Sequence, residues 1–274
     1  MKIQSLALLS LFALAISPVH AQQAPPRDNP YDVIGKVFQP FWSVLLASNG
    51  TGNKACQMTI LMQEVTGRLP KEMAGAELKA AVQFPDKVKL QAPVLGEEIT
   101  VCRNGNEVWA YPGQKVEFLL SQFKVKPKRT PKKNTPLFLP MTAQQAIFLP
   151  ALFTVANANV AEVDTLNGVD CRIITAGLMP ELAKAAKAEG FKAQLWVAPG
   201  YIPKRVTIAQ PDFTATVDIP VLEFTQSLPA STWQPPAGVT DIYRTDADML
   251  DAVLFVVMNS LKMKEGDQPW LKAK

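Results

Sequence analysis

Apolar and polar positions alternate from Lys87 to Leu120 (KVKLQAPVLGEEITVCRNGNEVWAYPGQKVEFLL), the pattern of consecutive antiparallel strands. Asn104-Gly105 is the sharpest turn signal in the chain, because a type I′ turn needs positive φ at both central residues and these two tolerate it. A two-residue turn there pairs Arg103 with Asn106, Val101 with Val108, Thr100 with Trp109 and Ile99 with Ala110. Ile99, Val101, Val108 and Ala110 then share one face, while Thr100, Cys102, Trp109 and Tyr111 share the other. Neither face is a water face. Such a meander is either sandwiched within a core or wrapped around an apolar guest.

The same patterning predicts the flanking elements. Asn29, Pro30 and Asp32 form an N-cap, a first-turn proline and a capping acid, opening a helix with Ile34, Val37, Phe38, Phe41, Trp42 and Leu45 at helical spacing and Pro40 as a kink. Ala55 to Val65 and Ala76 to Phe84 read as strands around a turn at Gly67, Pro70 and Gly75. Thr142 to Phe153 reads as a short apolar helix broken by Pro150. A second β block follows from Val160 to Phe224, interrupted by an alanine-rich helix from Pro180 with Gly190 as its C′ residue. Phe191 to Ala198, Lys204 to Ala209, Phe213 to Ile219 and Val221 to Thr225 alternate as four strands. Thr245 and Asp248 make a second capping box before the stripe Met249, Leu250, Val253, Leu254, Val257 and Leu261. The tally is about eleven strands, close to that of a barrel or sandwich, and short turns between them argue an antiparallel sheet.

Composition narrows the chemistry. Lys2, the apolar run Leu6 to Ile16, Pro18 and the small-residue site Val19-His20-Ala21 form an export signal too short to span a bilayer, so residues 1–21 are expected to be removed. His20 is the only histidine, and its loss leaves no imidazole for a Ser-His-Asp or Cys-His site or for His-ligated zinc. Formal charge falls from +4 to +3 with the loss of Lys2, too small a bias to argue nucleic-acid binding. Cys56, Cys102 and Cys171 allow at most one intramolecular disulfide, and any pairing is open. Without a Cys-x-x-Cys, small buried side chains or one staple outweigh redox catalysis. Glu97-Glu98 and the set Asp246, Asp248 and Asp251 are the notable acid clusters. The first pair points to opposite faces of a strand and the second reads as helix capping, so no enzyme activity and no cofactor are expected.

Three motifs in order, VQFPDKV (Val82 to Val88), TVCRNGNEVWAYP (Thr100 to Pro112) and WQPPAGV (Trp233 to Val239), resemble the outer-membrane lipoprotein carrier (LolA-like) superfamily. The resemblance spans roughly Ala55 to Thr240. It implies a mainly β (α+β) fold, an incomplete antiparallel β-barrel of about eleven strands with lid helices over a hydrophobic cavity. From the resemblance together with the residue patterns above, the chain is expected to divide into a signal peptide (1–21), a disordered leader (22–28), a half-barrel domain with its N-terminal helix (29–243) and a C-terminal amphipathic helix and tail (244–274), the last being more than the family pattern needs. Carriers of this family place an arginine just before the strand-Pro turn, where it latches the lid; here Phe84 stands there.

Under the carrier reading the chain is a soluble, monomeric periplasmic protein that shields the acyl chains of a lipid or lipoprotein between membrane-embedded loading and receiving proteins. Candidate lining residues on the apolar face of successive strands are Ile60 and Met62, Val101 and Val108, Phe118 and Leu120, Val206 and Ile208, Phe213 and Ala215; Trp109 and Tyr111 replace them on their hairpin if the other face is the inner one. Each taken singly also fits ordinary core packing. The basic loop Lys124 to Lys133, with Lys124, Lys126, Lys128, Arg129, Lys132 and Lys133, reads as a solvated surface or as a contact for anionic head groups or an acidic partner. The competing reading keeps the fold but fills the cavity with side chains, leaving a non-enzymatic scaffold.

Overall fold

Alternation does become sheet. A computed structural model describes residues 29–45, 54–67, 69, 71–94, 96–123, 153–154 and 163–260. Among these, the chain runs α1 (Pro30–Leu45), β1 (Ala55–Gly67), β2 (Glu77–Gln83), β3 (Lys87–Val94), β4 (Glu97–Asn104), β5 (Glu107–Tyr111), α2 (Gly113–Gln122), β6 (Phe153–Thr154) and β7 (Val163–Leu166). It continues through β8 (Val169–Leu178), α3 (Pro180–Ala186), β9 (Lys192–Ala198), β10 (Ile202–Gln210), β11 (Phe213–Thr225), β12 (Tyr243–Asp246) and α4 (Leu250–Ser260). The strand order is β12-β5-β4-β3-β2-β1-β11-β10-β9-β8-β6, with β7 beside β8, and β12 and β6 stand at the two ends, so the sheet is open. Eleven strands on that path meet the expected tally.

Two compact units share the chain. Of the described residues, the first holds α1, 63–67 of β1, β6 to β10 and 213–219 of β11; the second holds 55–62 of β1, β2 to β5, α2, 220–225 of β11, β12 and α4. The segments expected as two strands, 213–219 and 221–225, form the single strand β11, and the change of unit falls at Pro220. Proline cannot donate to a ladder, and the register of β11 with β10 stops at Asp218.

In the second unit the central hairpin is sandwiched by its own chain. Ala92, Val94, Ile99, Val101, Val108 and Ala110 pack against Val116, Leu119 and Leu120 of α2 and Leu250, Val253, Val256 and Val257 of α4. Burying each valine, isoleucine or leucine among them contributes about 1.5–3 kcal/mol. On the other face Cys102 and Trp109 pack with Ala55, Ala81, Leu228 and Trp233, the Trp109 indole donating to the Trp233 carbonyl at 3.0 Å. Leu228 N–H donates to Gln83 Oε1 at 2.9 Å, which ties the returning segment to β2. Arg103 is buried on the face that carries Val101 and donates to the Gly105 carbonyl at 2.9 Å. Burial lowers its pKa, with Asp86 and Asp251 acting the other way.

Local expectations need four corrections. The hairpin turns at Gly105-Asn106, pairing Asn104 with Glu107, Cys102 with Trp109 and Val101 with Ala110. Only Gly105 has positive φ there (+67°), which suits a type II′ turn with glycine first. The slip moves each partner by two, so the division of faces is unchanged. Residues after Pro112 form α2 rather than a strand, because Val116, Leu119 and Leu120 recur at helical spacing behind a proline in extended geometry. Thr245 lies in β12 opposite Val108, and α4 starts at Leu250 after a short 3-10 turn, since ladder pairing takes Thr245 out of any cap. Helix α3 ends with Lys187 in the left-handed region rather than at Gly190.

All three cysteines are free and buried. Cys56 and Cys102 lie on opposite faces of the sheet, since Cys56 aligns through Val82 and Val88 with Arg103. Burial pushes the Cys56 and Cys102 thiols up to about 12. Their folded pKa lies above the unfolded value, so the native state keeps protons that the unfolded chain gives up. Stability is therefore expected to fall as pH rises from the ordinary thiol range toward 12, with these thiols blocked from maleimide at pH 7 until denaturant is added. Fast labelling of native protein would contradict this placement.

Candidate functional site

The site is a helix laid on an apolar wall within the first unit. Asn29 caps α1, its Oδ1 accepting the Tyr31 N–H at 3.0 Å, and Asp32 pairs with Lys36 one turn on at 2.8 Å. Val33, Ile34, Val37, Phe38, Phe41 and Val44 are buried, while Tyr31, Asp32, Lys36 and Gln39 are exposed. Phe38 and Phe41 add a tilted ring pair with centroids 5.7 Å apart.

Strand register builds the wall. Ile174 stands opposite Leu195 and Ala176 opposite Ala193; Leu195 faces Val206, and Ala193 faces Ile208; Val206 then pairs with Val217, and Ile208 with Ala215. The alternate positions carry Thr175, Gln194, Thr207 and Thr216, with Arg205 and Asp218 in a two-point ion pair and the Thr207 and Thr216 hydroxyls 3.0 Å apart. One face is thus hydrocarbon and the other hydrogen-bonding, the division a half-buried sheet needs. Gly67 lets the end of β1 meet the turn between β10 and β11, since a Cβ there would collide with the Asp212 carbonyl.

Between helix and wall lies a small hollow lined by Ile34, Phe38, Ile174, Ala176, Ala193, Leu195 and Val206, every one apolar. Its volume is about 10 Å³, close to what a single water needs, and apolar hollows of this kind stay dry. With α1 in place Ile174, Leu195 and Val206 are buried, while Ile208 and Phe213 farther along the wall stay half-buried. Lys36 fastens the helix at its outer edge: its ammonium donates to the Tyr201 hydroxyl at 3.0 Å and lies 4.7 Å from the centre of that ring. Asp32 first and Tyr201 second raise the Lys36 pKa. Tyr201 takes φ +63°, a backbone region that costs a bulky residue on the order of 1 kcal/mol.

The residues expected to line a cavity are distributed as follows. Val206, Ile208, Phe213 and Ala215 come together on the wall, with Val206 at the hollow itself. Ile60 and Met62 share the face of Val101 and Val108 in the second unit, where Val101 and Val108 pack with Leu120 of α2 and with α4. Phe118 is 41% exposed on α2, and Trp109 and Tyr111 join the cluster around Trp233. Lys124, Lys126, Lys128, Arg129, Lys132 and Lys133 lie outside the described residues, as do the apolar segment expected at 142–152, the leader and the signal. Glu97 pairs with Lys115 at 2.8 Å and Glu98 accepts from Gln91 at 3.2 Å. The wall also uses Ile174, Ala176, Ala193 and Leu195, whose period-two spacing in CRIITAGL and KAQLWVA was the available signal. Ile34 and Phe38 were legible as a stripe but not as the cover of a site.

Among the described residues no helix is long and apolar enough to cross a membrane. No protein-family model matches the chain, and no curated protein sequence does. Solved structures to which it is similar include the lipoprotein LppX of Mycobacterium tuberculosis, at 12% identity over 70% of this chain and 97% of that one with a TM-score of 0.37. LprF of Mycobacterium bovis is similar at 11% identity over 74% and 98% of the two chains, also with a TM-score of 0.37. A domain from Vibrio parahaemolyticus described as an outer membrane lipoprotein-sorting protein gives 11% identity over 66% and 88%, with a TM-score of 0.23. At these TM-scores the likenesses stand as similarity alone, and the functional reading rests on the wall and its helix.

Proposed function

We propose that this chain is a non-enzymatic carrier that takes up the acyl chain of a lipid or lipoprotein on the β8 to β11 wall, with α1 as the cover that moves aside. The observation behind this reading is the hollow under α1, whose seven lining residues are all apolar. Magnitudes favour exchange over permanent closure. A guest of about fifteen methylenes gains on the order of 12 kcal/mol by leaving water, and lifting the six buried side chains of α1 costs roughly 9–18 kcal/mol. The two are of the same order, so guest and helix can replace one another in either direction. In this reading the chain is exported, works between membranes as a monomer, and uses the 124–133 loop toward anionic head groups or acidic loading and receiving proteins.

A second reading has its own support. Both faces of the central hairpin are covered by the chain, and the hollow is no larger than a single water, as a scaffold with a filled core would have it. Mass spectrometry of an organic extract of the native protein, with titration of a fluorescent fatty acid, separates the two. The carrier reading expects a co-purified amphiphile and saturable binding displaced by unlabelled fatty acid. Neither extractable lipid nor displaceable binding would leave the scaffold.

A further inference from the structure

Two kinds of contact hold α1 on the wall, and a guest can replace one of them. The stripe around Ile34 and Phe38 is hydrocarbon, and an acyl chain offers the wall the same kind of contact when the helix lifts. Those contributions largely cancel between the closed and the loaded protein. The Lys36 ammonium, 3.0 Å from the Tyr201 hydroxyl and 4.7 Å from the centre of its ring, is of the other kind. A methylene chain reproduces neither a charge-assisted hydrogen bond nor a cation over a ring face, so this contact belongs to the closed state alone.

The polar contacts internal to the helix do not share that property. Asp32 pairs with Lys36 at 2.8 Å, Ser43 donates to the Pro40 carbonyl at 3.0 Å, and the Asn29 side chain caps the first turn. All three lie within α1 or at its cap and travel with it, so they weigh equally on both states and leave their balance unmoved. On the other side of the contact, Gly200 and Tyr201 of the turn between β9 and β10 have φ of +79° and +63°. Glycine and asparagine are the usual occupants of such positions, and a tyrosine there strains the backbone. The side chain carried on that strained residue is the one that meets Lys36. With the Lys36 side chain 43% exposed the contact is modest, yet a modest contact decides the outcome where the apolar contributions nearly balance.

We propose that Lys36 and Tyr201 form a clasp that sets how much of the time the wall is open, and with it the rate at which an acyl guest is taken up. The inference rests on the carrier reading above and deepens it; both are positioning residues that act through α1. The guest binds the open form, so its apparent dissociation constant is the intrinsic one divided by the open fraction. Weakening the clasp raises that fraction and tightens binding. The whole change falls in the association rate, because the loaded protein has no clasp left to lose.

Stopped-flow mixing of the full chain with a fluorescent fatty acid reads both rates. Lys36→Met is expected to raise the association rate about fivefold, the size of one exposed polar contact, and to leave dissociation unchanged. Tyr201→Phe, which keeps the ring face and removes the hydroxyl, is expected to raise it about twofold. The double variant is expected to match Lys36→Met, since a hydroxyl without its ammonium holds nothing. Gln39→Met puts the same side chain at another exposed position of α1 and is expected to leave the rate within about 1.5-fold of the wild type. Slower or weaker binding by the clasp variants, as a merely loosened fold would give, overturns the proposal, and so does wild-type association in both of them. Further gain in the double variant, or as large a gain from Gln39→Met as from Lys36→Met, overturns it too. Should Lys36→Met not fold, Tyr201→Phe decides. Saturable binding by none of these proteins, the wild type included, overturns the carrier reading itself and this inference with it.

Discussion

Replacing Trp109 with alanine is expected to lower the unfolding free energy by about 3–5 kcal/mol, read as a shift of the urea midpoint at constant slope. The side chain is 1% exposed at the centre of the cluster with Cys102, Leu228 and Trp233, so its removal forfeits transfer energy and opens a void. The Trp233 carbonyl also loses its indole donor, leaving the weak Cys102 thiol at 3.6 Å. Because domains of this size are stable by only about 5–15 kcal/mol, a large share of the margin goes with one residue. Conservative variants separate the two causes. Trp109→Phe is expected to cost about 1 kcal/mol more than Trp233→Phe, since the Trp233 indole nitrogen has no protein partner among the described residues while that of Trp109 does. Equal midpoints for the two phenylalanine variants would contradict this assignment.

The faces of the central hairpin were legible because parity survives an even slip. Moving the turn from Asn104-Gly105 to Gly105-Asn106 shifted every partner by two and left Val101 with Val108 and Cys102 with Trp109 on their expected sides. What covers those faces was not legible. Leu228 and Trp233 return more than a hundred residues later, α4 later still, and local alternation carries no information about which distant segment comes back. The stretch KVEFLL was misread for a different reason: a short apolar run fits either period, and the proline before it decided for the helix. At the candidate site, α1 is written plainly in its cap and stripe, and strand alternation puts Val206, Ile208, Phe213 and Ala215 on one face. That the helix lies on the wall formed by Ile174, Leu195 and Val206 depends on tertiary placement, which sequence periodicity leaves open.

Fixing α1 to its edge is expected to abolish acyl binding outright, the largest functional effect the account implies. Lys36 and Tyr201 touch across helix and turn, and neither lines the hollow, so both can become cysteine without altering the wall. The native thiols are buried, and those of Cys56 and Cys102 are pushed up to about 12, so a short bismaleimide at neutral pH should find only the introduced pair. Only the lifting of α1 can give a long guest access to a space of about 10 Å³, and the bridge forbids it. The decisive measurement is therefore fluorescent fatty-acid titration of the Lys36→Cys, Tyr201→Cys protein before and after bridging. Saturable binding in the unbridged protein that disappears on bridging is the predicted result; binding that persists undiminished with α1 held down, or none in either form, would contradict the account.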